Sequence, residues 1–122
     1  MMASDKVLPL DIWLVYLRFT DRPKVGKVRP VLVVGAKESI VLVAKITSKP
    51  PIKDSGDIAI TQWEQAGLNV PSTVRCSQVF EISSGELLRD APIGALQPYD
   101  AEQVVQAMAQ LGLLSAADTL EW

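Results

Sequence analysis

Two strand-length runs, residues 28–34 and 40–48, restrict this chain to folds built on an antiparallel hairpin. Both are rich in β-branched residues, which pack well on a pleated surface. Between them, Gly35-Ala36-Lys37-Glu38-Ser39 supplies the glycine and small polar residues at which a chain reverses. Reversal returns the end of the second run to the start of the first, so Arg29 and Thr47 share the open end of the hairpin. With a three-residue loop at Ala36-Lys37-Glu38 and Gly35 opposite Ser39, Arg29 faces Lys45 and lies diagonal to Thr47 on one face.

An arginine, a lysine and a threonine gathered in this way suit a phosphate. The guanidinium fork donates two parallel hydrogen bonds to phosphate oxygens, the ammonium adds a point charge, and the hydroxyl adds a donor without charge. The same trio also fits a solvated sheet edge. Charge distribution favours an anion. The chain carries 12 basic and 14 acidic residues, yet residues 18–53 hold nine basic against two acidic, a local net of +7. A field of that sign concentrates a polyanion even on a mildly acidic domain.

Length and composition set the remaining bounds. At 122 residues and 48% hydrophobic content, the chain fits one compact domain over residues 1–122, with a small core and no internal repeat. Its beginning lacks the apolar segment of a signal peptide, and no run approaches the roughly 20 apolar residues that span a bilayer. The expectation is a cytoplasmic protein away from the membrane. One cysteine, Cys76, forms no internal disulfide and reads as a small buried hydrophobe. Histidine is absent, which removes histidine-based triads, acid/base pairs and most zinc sites. Carboxylates lack calcium-loop spacing, and no glycine-rich phosphate cradle joins a strand to a helix. The expected chemistry therefore uses neither metal nor cofactor.

Along the chain, residues 11–19 are apolar on both sides and read as a central strand. Residues 20–27 form a charged Pro/Gly loop leading into Arg29, and residues 49–56, with Pro50 and Pro51, form a second loop at the same end. Residues 57–60 read as a short strand. Residues 61–68 read as one or two helical turns, with Thr61 and Glu64 as a capping box and Gly67 as the stop. Residues 71–82 alternate in part, with Thr73, Arg75 and Ser77 on one face and Val74 and Cys76 on the core side. Residues 100–112 place Val104, Val105, Met108 and Leu111 at helical spacing, an amphipathic helix whose stripe meets the core or a second copy.

Taken in order, Arg18-Phe19-Thr20-Asp21, the charged loop, Lys27-Val28-Arg29-Pro30 with its apolar continuation, Ile46-Thr47-Ser48, Gly67-Leu68 and Ser72-Thr73-Val74-Arg75-Cys76-Ser77-Gln78 resemble the MazF/PemK/Kid toxins. The likeness covers nearly the whole chain. It implies a mainly β fold with a few helices (α+β), a small SH3-like antiparallel β-barrel of the MazF/Kid/CcdB type with a C-terminal amphipathic helix, assembled as a homodimer. It also implies the toxin of a type II toxin–antitoxin system, a metal-independent endoribonuclease that cuts single-stranded RNA at short sequences. A cognate antitoxin would silence it, with DNA bound through the antitoxin complex.

On this resemblance, Arg29 and Thr47 hold and polarise the scissile phosphate, and Arg75 stabilises charge. Lys24, Lys27, Lys45, Ser48, Lys49, Ser77 and Gln78 are the candidate RNA contacts. The ribose 2′-hydroxyl is the nucleophile, so the protein has only to align it, move protons and stabilise a phosphorane-like transition state. One departure stands out. The Kid-like branch has an Arg-Cys-Asp stretch that supplies an arginine and a carboxylate, whereas this chain has Arg75-Cys76-Ser77, and serine is a poor base. Asp21, in the charged loop, is the candidate proton acceptor. The alternatives are a catalytically weak or inactive RNA- or peptide-binding module of the same fold, and a CcdB-like topoisomerase inhibitor.

Overall fold

The computed structural model describes residues 7–18 and 26–112. Six antiparallel strands form one sheet: β1 (Asp11–Arg18), β2 (Gly26–Lys37), β3 (Ile40–Thr47), β4 (Asp57–Ile60), β5 (Ser72–Ser83) and β6 (Gly94–Ala95), followed by one helix, α1 (Pro98–Gln110). Their spatial order is β4-β5-β3-β2-β1-β6, and the sheet curls into a half-barrel. The expected β-rich architecture with a late amphipathic helix is what the chain adopts.

Alternation along the central strands divides the apolar side chains between two faces. Ile12, Leu32, Ala44, Ile46, Val74 and Cys76 face α1, whose Val104 and Met108 complete that core. The helix stripe is thus core, although Leu111 stays 43% exposed. Trp13, Val15, Val31, Val33, Val41 and Val43 fill the opposite face.

The β2–β3 hairpin departs from the expected register. Its turn has two residues, with Lys37 paired to Ile40 and Glu38 at a left-handed φ of 57°. Taken alone, an even turn would put Arg29 and Thr47 on opposite faces, because side chains alternate with a period of two. A bulge cancels that. Val33 pairs with Val43 and Gly35 with Leu42, so Val34 is an extra residue in β2, turned into the α1-facing core. Beyond it Val31 pairs with Lys45, and continuing that register sets Arg29 level with Thr47 rather than with Lys45. A second irregularity interrupts β5. Ala44 pairs with Val79 but Lys45 with Arg75, so Cys76, Ser77 and Gln78 bulge from the ladder.

Residues 61–67 make turns, not a helix, and the expected Thr61–Glu64 cap is not what closes them. Asp100, fully buried in the first turn of α1, accepts hydrogen bonds from the Thr61 N–H (3.1 Å), the Thr61 hydroxyl (2.8 Å) and the Gln62 N–H (2.9 Å). A buried carboxylate needs several donors, and this turn supplies them across 39 residues of sequence. Gly67 takes the expected left-handed φ, 92°, and its Cα packs against Gly94 of β6.

Candidate functional site

At the open end of the hairpin lies a groove of about 540 Å³, walled by residues of β1, β2, β3 and β5 with the loops that follow β3 and precede β5. Its cations are Arg18, Lys27, Arg29, Lys45, Lys49 and Arg75, and no carboxylate lines it among the described residues. Leu17, Pro30, Ile46, Val70 and Phe80 add apolar wall.

Arg29 is exposed near the start of β2, opposite Val15 of β1. The strand holds its Cα while the side chain lines the groove. Thr47 closes β3. Its Oγ1 accepts the Lys49 N–H at 3.2 Å, a local turn bond that orients the oxygen and leaves the hydroxyl proton as a donor. Lys45 is exposed on the same face, and Ser48 and Lys49 are exposed just past the strand.

Arg75 is placed differently from a solvated groove residue. It lies on the face away from α1, as its alternation predicts, but only 8% exposed. It is the cross-strand partner of Lys45 on one side and of Asp57 on the other. Like charges directly opposite destabilise a ladder. Asp57 offsets this: Arg75 Nη1 donates to Asp57 Oδ2 in a buried ion pair. The same oxygen accepts the Ile52 N–H at 3.0 Å, and the Asp57 N–H donates to Ser55 Oγ at 3.2 Å. The carboxylate is therefore tied to Arg75 and to the loop before β4.

The structure thus brings Arg29, Thr47, Arg75, Lys27, Lys45, Ser48 and Lys49 to one groove. Ser77 and Gln78 are exposed on the β5 bulge and do not line it. Asp21 and Lys24 lie outside the described residues. Asp57, Arg18, Val70 and Phe80 were not foreseen. For Asp57 the sequence offers one signal, a charge opening an otherwise apolar strand.

Cys76 is buried in the α1-facing core. Burial pushes its thiol up to about 11, with the Asp57 carboxylate adding to the rise. The neutral thiol is favoured by folding, so this contribution is complete below pH 9 and is lost as the pH rises toward 11. We expect Cys76 to react with Ellman's reagent at pH 8 only in denaturant; rapid reaction of the native protein would contradict the burial.

A family model described as PemK-like, MazF-like toxin of type II toxin–antitoxin system matches residues 9–112. No curated protein sequence matches the chain. Among solved structures, the Mycobacterium tuberculosis toxin MazF-mt6 is similar with 25% identity and a TM-score of 0.66, over 86% of this chain and 98% of that one. An endoribonuclease solved in complex with its cognate antitoxin, from a mycobacterial species, aligns with a TM-score of 0.69 at 17% identity, over 88% of this chain and 97% of that one. A MazE-MazF structure from Deinococcus radiodurans gives 0.65 at 13% identity, over 90% of this chain and 99% of that one. The half-barrel, the order of its elements and the match across residues 9–112 agree, and the chain belongs to the PemK-like, MazF-like toxins of type II toxin–antitoxin systems.

Proposed function

We propose that this toxin is an endoribonuclease that cuts single-stranded RNA in the groove between β1, β2, β3 and β5, with Arg29 and Thr47 on the scissile phosphate. The observation that carries this reading is the level placement of Arg29 and Thr47 on one sheet face, inside a groove lined by cations and no described carboxylate. Arg29 offers a bidentate fork and Thr47 a neutral donor already oriented by Lys49. Lys45 and Arg75 add charge along the same wall, and Phe80 and Val70 offer the apolar surface on which bases stack.

Such a groove stabilises a phosphorane-like transition state by fixed cations and donors, while the nucleophile comes from the substrate's own 2′-hydroxyl. The donors do not have to reorganise as charge develops. Asp21 is proposed as the proton acceptor. In sequence it falls between the end of β1 at Arg18 and the start of β2 at Gly26, and both Arg18 and Lys27 line the groove. Lys24, in the same stretch of sequence, is proposed as an RNA contact, with Ser77 and Gln78 reaching RNA only beyond the groove itself.

The proposed partners are a cognate antitoxin and a second copy of the chain. Tyr16 and Val28, cross-strand neighbours that stay 45% and 52% exposed, offer apolar surface for the latter. Among the described residues, no helix is long and apolar enough to cross a membrane.

The test is incubation with a long single-stranded RNA in EDTA, followed by mapping of the ends. Defined cuts bearing a 2′,3′-cyclic phosphate and a 5′-hydroxyl are expected, with the matching DNA intact because it lacks the attacking group. RNA bound but left whole would make this a binding module.

A further inference from the structure

Four strands set Val31, Lys45, Arg75 and Asp57 in one row across the sheet. A buried arginine beside a lysine is an unfavourable choice for a row that an apolar residue could complete, and Arg75 is only 8% exposed. It nevertheless keeps a place in the groove wall. Asp57 makes that position tenable. Its side chain is 1% exposed, and hydrogen bonds to the Ile52 N–H and the Ser55 hydroxyl fix the residue in place. The Arg75–Asp57 bond occupies one of the five N–H donors of a guanidinium and sets the plane of the rest.

We propose that Asp57 is a positioning residue that acts through Arg75, holding the guanidinium rigid so that its remaining donors meet an RNA phosphate. This rests on the groove being an RNA site. A donor held in place before the substrate arrives has no ordering cost when charge develops, and a support behind it is what keeps it within the tolerance such contacts need. Asp57 itself stays out of the groove lining.

The experiment is a double-mutant cycle on the full chain with two readouts. The first is affinity for a single-stranded RNA carrying 2′-O-methyl groups, which blocks the nucleophile, measured across salt concentrations. On a single strand each phosphate contact contributes roughly 0.7 to the log–log slope. Arg75→Ala is expected to flatten the slope by about that amount, Asp57→Asn by the same amount, and the double variant by no more than Arg75→Ala alone. Simple loss of a negative charge beside the groove predicts the opposite, tighter binding with the slope kept. The second readout is cleavage of unmodified RNA. Asp57→Asn is expected to lower kcat/KM about tenfold, with KM raised in line with the lost phosphate contact, to have no further effect in the Arg75→Ala background, and to be partly rescued by Asp57→Glu.

Additive losses, or an unchanged slope in Asp57→Asn, overturn the proposal. Should Asp57→Asn fold poorly, Asp57→Ser carries the test, and wild-type slope and kcat/KM in that variant overturn it. Wild-type protein that binds the modified RNA but cuts nothing defeats the nuclease reading alone, and the slopes still decide the role of Asp57. No binding at all defeats both.

Discussion

Arg29→Ala is expected to lower RNA cleavage about a hundredfold while leaving the melting temperature within about 2 °C of wild type. The size follows from removing one preorganised donor at a developing negative charge, which costs about 2.7 kcal/mol of transition-state stabilisation or more. Stability should be spared because the side chain is exposed and belongs to neither apolar core. Arg29→Lys is the informative companion: it keeps the charge but loses the fork, and should recover only part of the rate. Turnover is compared under single-turnover conditions on one defined RNA. Full activity in Arg29→Ala would remove this residue from the chemistry, and with it the main support for the groove as the active site.

The second large effect concerns the scaffold. Gly94→Ala is expected to destabilise the fold by about 3 kcal/mol, a loss of roughly 10 °C in melting temperature. A Cβ built on Gly94 sits 1.9 Å from the Ala66 carbonyl oxygen and 3.1 Å from the Gly67 Cα, both backbone atoms that no rotamer change can clear. The reverse contact is as tight: a Cβ on Gly67 meets the Ile93 carbonyl oxygen at 2.2 Å. These two glycines let β6 lie directly on the turn that Asp100 caps. The control is Gly85→Ala, where the nearest atom is Ser83 Oγ at 3.9 Å and little change is expected. Equal melting temperatures for the two variants would show that the β6 contact relaxes without cost.

How much of this could be read from residues alone follows from the range of the interactions involved. Strand runs, the late helix, the burial of Cys76 and the shared end of Arg29 and Thr47 were legible because alternation and helical spacing are local patterns. The hairpin register was not. It depends on Val34 being drawn into the α1-facing core, a tertiary preference that no count of turn residues contains. Thr61 and Glu64 match a local capping pattern, but the Thr61 N–H that Glu64 would accept goes to Asp100, 39 residues away. Asp57 gains its role through the pairing of β4 with β5, a non-local contact that sets it opposite Arg75.

The Val34 bulge has a consequence for how this hairpin can change length. Between the bulge and the groove, gain or loss of a single residue turns Arg29 away from Thr47, so that segment tolerates change only in steps of two. On the far side, toward Glu38 and Ser39, an odd step can be absorbed if the bulge disappears with it. Relatives that share the groove should therefore differ here in paired increments, or trade the bulge for one extra turn residue, so the two-residue turn and the Val34 bulge are inherited together.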